Sequence, residues 1–296
     1  MDFVDSHLNK PIKPDLDLKK PTMLTLQVRR QICEDTISRS PVIVKETPSG
    51  SLESSFMSSQ LPELQRSSTT FPNLQLKPTT IIDSDSFAAA RSLLASDSSQ
   101  QGKIAVLNLA SDEQPGGGWR LTLCYTQEEA LCYSSTLYKT LKARWYPWPN
   151  LGPGSAAGIY SPGVVVFRDT IDNKLAELPS EERFVVSVIT VAAPCCPKLT
   201  SDRIAFANES DLDDLREKIK LVYRCAAHNG QTNLVLGAMG CGAYRCPPEV
   251  VAREMKAILA ADEFKGWFEN VIFAIYARGH VGQRNLEVFR KEFGVE

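Results

Sequence analysis

Two adjacent glutamates, Glu128 and Glu129, follow three consecutive glycines, Gly116, Gly117 and Gly118, inside residues 104–138. Adjacent glycines permit positive φ and let backbone N–H groups approach an anion closely. Most glycosidases work with carboxylates. A phosphate cradle beside two carboxylates points to hydrolysis of a nucleotide-linked glycosidic bond. Plainer readings stand next to this one. A bare Gly-Gly-Gly is also a flexible surface turn. Thr126-x-x-Glu129 is also a capping-box pattern, in which Glu129 ties off a helix start. The loop is not a P-loop, since no Gly-Lys-Ser/Thr follows, and it lacks the G-x-G-x-x-G dinucleotide fingerprint. Successive helix residues point ~100° apart. The two carboxylates are therefore expected to divide the work, one holding a sugar hydroxyl and the other transferring a proton.

A second glycine loop, Gly237-Ala-Met-Gly240-Cys241-Gly242-Ala243-Tyr244, repeats the arrangement ahead of Pro247-Pro248. Proline is favourable in a first helical turn. Two such loops at two strand ends would grip a diphosphate from both sides. Tyr244 would then pack on a ribose or base; a core tyrosine with a satisfied hydroxyl is the other reading. Asn108 and Ser111, at the end of the first strand, are candidates for a ribose hydroxyl or for turn formation. His228 and His280 are isolated, and Trp145, Tyr146 and Trp148 sit among prolines as a pocket wall or a surface cluster.

Strands and helices alternate from residue 79 onward. Continuous apolar runs predict strands over 79–82, 104–109, 163–168, 184–192, 233–239 and 270–277. Helical patterns cover 86–95, 127–145, 211–229, 248–260 and 282–293. Strands without polar alternation suit a sheet covered on both faces, so the expected fold is a three-layer α/β/α sandwich. Ligands of such folds bind beyond the carboxyl ends of strands. Upstream, 25–36 reads as a helix and 41–45 as a short strand. Residues 48–80 are rich in Ser, Thr, Pro and Gln and read as a polar loop or flap. Residues 1–23 are expected to form a loose arm, leaving 24–296 as the domain.

The 296 residues are 43% hydrophobic and 23% charged, with a net charge of −2. That length holds one large α/β domain, and the charge supplies no steering toward nucleic acid or membrane. No apolar run approaches the ~20 residues of a membrane span. Several of the eight cysteines lie in apolar contexts, as buried thiols do, and the expectation is a reduced, intracellular protein. No histidine is close in sequence to Cys195, Cys196, Cys241 and Cys246, so no zinc site is read from them.

The glycine triplet, eight residues and then Gln127-Glu128-Glu129 resemble the signature of poly(ADP-ribose) glycohydrolases. The segments from Tyr160 to Asp169 and from Leu236 to Tyr244 are similar to the microbial, single-domain branch. The resemblance runs from about residue 24 onward. It implies a macrodomain-like fold with a mixed central sheet and added N-terminal helices. The implied activity is cleavage of ribose–ribose O-glycosidic bonds in poly(ADP-ribose) with release of ADP-ribose, without metal or other cofactor. Glu129 aligns with the catalytic glutamate and Glu128 with a ribose-holding one. Asn108, Ser111 and Gln127, the glycine triplet and the loop Gly240, Cys241, Gly242, Ala243 and Tyr244 fall at substrate-binding positions. Partners would be poly(ADP-ribose) or ADP-ribosylated proteins, with no membrane and no direct nucleic-acid contact. A non-catalytic ADP-ribose-binding macrodomain and a hydrolase of another ADP-ribosyl linkage are the alternatives. The chain departs from the pattern at Trp119-Arg-Leu-Thr-Leu-Cys-Tyr-Thr126, where small residues are usual, and at Cys246, where Asn is common.

Overall fold

The computed structural model describes residues 24–295. The expected arm at 1–23 lies outside them. A seven-stranded mixed sheet forms the centre. Its strands in chain order are β1 (Ser55–Met57), β2 (Thr80–Ile82), β3 (Ile104–Leu109), β4 (Gly158–Val166), β5 (Phe184–Val191), β6 (Asn233–Leu236) and β7 (Asn270–Ala274). The order across the sheet is β1-β4-β5-β3-β6-β7-β2. From β5 to β2 all neighbours are parallel, while β4 runs antiparallel to both β1 and β5.

The helices are α1 (Leu26–Glu46), α2 (Ser86–Ser96), α3 (Gln127–Ser134), α4 (Leu137–Thr140), α5 (Glu209–His228), α6 (Pro248–Leu259) and α7 (Gly279–Phe293). Alternate residues of the central strands feed two cores. Ala105, Leu107, Leu234 and Leu236 pack with Ile219 of α5, Met255 of α6 and Phe289 of α7. Ile104, Val106 and Val235 pack with Cys33 of α1, Phe87 of α2 and Leu131 of α3. Burial on both faces is why these strands lack polar alternation, with only Asn108 in β3 and Asn233 in β6 interrupting their apolar runs, and it gives the expected three layers.

Three local expectations are corrected. Residues 41–45 are not a strand; α1 continues through Pro41 to Glu46. An internal proline costs about 3 kcal/mol because it removes a helix hydrogen bond. Packing offsets it. Cys33, Thr36, Ser40 and Ile43 form a buried stripe, and Ile43 clusters with Val165 and Phe167. Arg168 ties the helix down by donating to Thr36 Oγ1 (2.6 Å) and pairing with Asp35.

Residues 127–145 are not one helix. Ser135 is extended (φ −145°, ψ 178°) and bridges to Val166, so α3 stops after eight residues. The hydroxyls of Ser134 and Ser135 turn back to the carbonyls of Ala130 (2.6 Å) and Leu131 (2.7 Å). Serine hydroxyls compete with the helix ladder in this way. The N–H groups of Phe167 and Arg168 then take the Ser134 carbonyl, each at 3.0 Å. The strand expected at 163–168 begins earlier, at Gly158, with an irregular register between Ser161 and Val164. Within 48–80, β1 pairs with β4, Leu64 is buried, and Phe71 packs edge-on against Trp267 (5.2 Å).

Candidate active site

A cleft of about 610 Å³ opens beyond the carboxyl ends of β3, β6 and β7. Its walls come from the loops that leave these strands, from the N-terminus of α3 and from the turn after β4. This is where an open parallel sheet places its ligand.

Both glutamates of α3 are almost fully buried, Glu128 at 2% and Glu129 at 3% exposure. Their side chains do not diverge as ideal helical spacing suggests. A Cβ added to Gly117 would lie 2.9 Å from Glu129 Oε1 and 3.0 Å from Glu128 Oε2, so both carboxyl groups converge on this glycine. At the first helical turn no preceding turn constrains them, and each bends toward the loop. Glu128 accepts from Ser111 N–H (2.8 Å) and Asn108 Nδ2 (3.1 Å). Burial pushes its carboxyl up to about 8, against the opposing effect of those donors. Burial thus favours the protonated form of this carboxyl group.

The capping-box reading of Glu129 is corrected. Thr126 is the N-cap, but its side chain caps no N–H. Its hydroxyl pairs instead with Glu129 Oε2, and Oε1 accepts from Gly118 N–H at 2.7 Å. Glu129 thus fastens the glycine loop to the helix start. Gly117 and Gly118 line the cleft; Gly116 does not and backs against Tyr138 and Cys132. Gly116 and Gly117 have positive φ (69° and 54°), which explains the residue type at both. Gly118 has another reason: a Cβ there would meet Thr122 Oγ1 at 2.3 Å and Cys124 Sγ at 2.6 Å.

The other sequence candidates separate into cleft wall and support. Ser111 is on the wall. Asn108 is fully buried, off the wall, with Nδ2 shared between Glu128 and Thr190 Oγ1 (3.2 Å). It orients Glu128 rather than facing the cleft. Gln127 borders the cleft, yet its amide is spent on the strand: Oε1 accepts from Leu109 N–H (2.9 Å) and Nε2 donates to Leu107 O (2.7 Å) and Ser86 Oγ (3.1 Å). Gly240, Gly242, Ala243 and Tyr244 line the opposite wall. Cys241 is buried behind it, its thiol toward Met239 O. Tyr244 donates to Asp112 Oδ1 (2.7 Å), and Asn150 Nδ2 reaches the same oxygen (3.0 Å). This pair ties the two glycine loops together, and burial with the Asp112 contact pushes the phenol up. Cys246 is buried against Pro194 O (3.2 Å).

The far wall was absent from the sequence reading. Asp85 caps α2, accepting from Phe87 N–H (2.8 Å) and Ala88 N–H (3.1 Å), and burial pushes its carboxyl up. Tyr276 donates to Asp172 Oδ1 (2.6 Å) and Arg278 to Asp172 Oδ2 (3.1 Å), all three at the cleft. One signal could have found them: these residues follow the ends of β2, β4 and β7, as Ser111 follows β3.

A mixed, doubly covered sheet with glycine loops at neighbouring parallel strand ends defines a macrodomain-like protein. Residues 30–169 match the family model described as microbial-type PARG, catalytic domain. The fold matches poly(ADP-ribose) glycohydrolase from Thermomonospora curvata, with 28% identity over 90% of this chain and 99% of that one, at a TM-score of 0.69. A second structure of that enzyme, bound to the inhibitor ADP-HPD, matches equally, with 28% identity and a TM-score of 0.69. The Deinococcus radiodurans enzyme in complex with ADP-ribose matches with 28% identity over 92% of this chain and 98% of that one, at a TM-score of 0.62. No curated protein matches. In motifs and in fold, the chain is similar to the microbial-type poly(ADP-ribose) glycohydrolases.

Proposed function

We propose that this protein hydrolyses the ribose–ribose O-glycosidic bond of poly(ADP-ribose) and releases ADP-ribose. The observation that carries the reading is the convergence of two buried glutamates on the backbone of Gly117, inside a cleft walled by two glycine loops. Glu129 is the acid/base. It protonates the leaving ribose oxygen as the anomeric carbon takes on oxocarbenium character, then takes a proton from the attacking water. Glu128 holds the ribose beside it, and Asn108 and Ser111 fix Glu128 in turn. The backbone of Gly117, Gly118 and residues 240–244 cradles the diphosphate.

In the segment before the glutamates, Trp119 and Leu123 point into the core and Leu121 is 68% exposed, while Thr122, Cys124 and Tyr125 line the cleft. The eight cysteines are free thiols, which supports an intracellular setting. Among the described residues no helix is long and apolar enough to cross a membrane. Incubation with poly(ADP-ribose) tests the reading. Free ADP-ribose is expected, and binding of ADP-ribose without any product on long incubation would favour a binding module instead.

A further inference from the structure

Thr122, Cys124, Tyr125 and Thr126, from the segment between the glycines and the glutamates, line the cleft next to Glu129. Tyr125 lines the cleft one position before Thr126, whose hydroxyl touches Glu129. Its ring is fixed in place. The Arg29 guanidinium lies 4.3 Å from the ring centroid, Tyr133 packs at 5.8 Å, and the phenol donates to Leu24 O (3.4 Å). Arg29 also donates to the carbonyl of Leu123, which has positive φ (55°), and so holds the whole segment against α1. The carboxylates of α1 that form ion pairs, Asp35 and Glu46, pair with Arg39, Arg168 and Arg183, not with Arg29. Arg29 Nε is buried without an acceptor.

The chemistry of the bond defines what lies on this side of Glu129. The leaving oxygen belongs to the ribose of an adenosine, so the departing group carries an adenine close to the bond and a diphosphate beyond it. An aromatic ring held from behind by a guanidinium suits the base of such a nucleotide, since its free face is available for stacking. We propose that Tyr125, backed by Arg29, forms a leaving-side subsite that stacks on the adenine of the next ADP-ribose unit in the chain. The subsite rests on the reading of Glu129 as the acid/base. It makes Tyr125 a residue that recognises the polymer and not the released product.

The test compares wild type, Tyr125→Ala and Tyr125→Phe in two assays, kcat/KM on poly(ADP-ribose) and calorimetric affinity for free ADP-ribose. Tyr125→Ala is expected to lose roughly 5- to 150-fold in kcat/KM, mostly through KM, the range for removing one base-stacking ring. Its ADP-ribose affinity stays at the wild-type value, which also reports an intact cleft, and Tyr125→Phe restores turnover. Should alanine disrupt the segment, Tyr125→Leu keeps the bulk without the aromatic face and is expected to show the same selective loss. Wild-type kcat/KM in Tyr125→Ala overturns the subsite, as does an equal loss of chain turnover and ADP-ribose affinity in every variant. A wild-type protein that releases no ADP-ribose overturns the hydrolase reading itself, so the two failures are distinct.

Discussion

Gly117→Ala tests whether the glycine triplet exists to make room for the carboxyl groups. Gly117 sits at φ 54°, and a methyl group there would stand 2.9 Å from Glu129 Oε1 and 3.0 Å from Glu128 Oε2. Gly102 supplies the control, with φ 75° and nothing within 4 Å. Alanine in the left-handed region costs about 1–2 kcal/mol at either site, so both variants should lose similar stability from the backbone alone. Only Gly117→Ala must also displace two buried groups. Neither can retreat freely, because Glu128 is held by Ser111 and Asn108 and Glu129 by Gly118 and Thr126. Restoring ordinary contact needs shifts of several tenths of an ångström, and misplacement by about 1 Å costs on the order of 100-fold in rate. ADP-ribose release is therefore expected to fall roughly 10- to 100-fold in Gly117→Ala and to stay at the wild-type rate in Gly102→Ala. Urea midpoints measured alongside separate the loss of rate from unfolding. Equal turnover by the two variants would refute the claim that Gly117 positions the glutamates.

Two further substitutions probe the supports of the site. Glu128→Gln addresses the carboxyl that burial raises from 4.5 to about 8. Between those values the native state keeps a proton that the unfolded chain has released, so wild-type stability falls as pH rises through the window and levels off above about 8. Glu128→Gln lacks that slope, and its urea midpoint should gain on wild type from pH 5 to pH 8; a constant difference contradicts the burial argument. Tyr244→Phe removes one donor from buried Asp112. A hydrogen bond to a charged group contributes about 1.5–3 kcal/mol, so the variant should unfold at lower denaturant and bind ADP-ribose more weakly; unchanged values would show that the link between the glycine loops is dispensable.

The layers of the fold were legible because β3, β5 and β6 are mostly apolar runs without polar alternation, as burial on both faces requires. Where the reading failed, contacts remote in sequence decided. Pro41 signals a helix end locally, yet Ile43 meets Val165 and Phe167 more than a hundred residues away and the helix runs on. Ser134 and Ser135 look tolerable in a helix until the end of β4 claims the Ser134 carbonyl and bridges Ser135. The glycine loops and glutamates were visible as a contiguous motif, but their roles were not all visible. Asn108 and Gln127 carry ligand-like side chains that the structure spends on Glu128 and on the edge of β3. Asp85, Asp172, Tyr276 and Arg278 come from separate strand ends and share no local pattern, so only the fold brings them to one cleft.

The central claim is that Glu129 performs the acid/base step in a cleft built for ADP-ribose. The most direct measurement is single-turnover release of ADP-ribose from poly(ADP-ribose), wild type beside Glu129→Gln, with ADP-ribose affinity measured on both. General acid–base catalysis by one side chain contributes roughly 10²–10⁴-fold. Release is expected to fall by that order in Glu129→Gln while ADP-ribose still binds. A Glu129→Gln protein that digests chains at the wild-type rate would contradict the account.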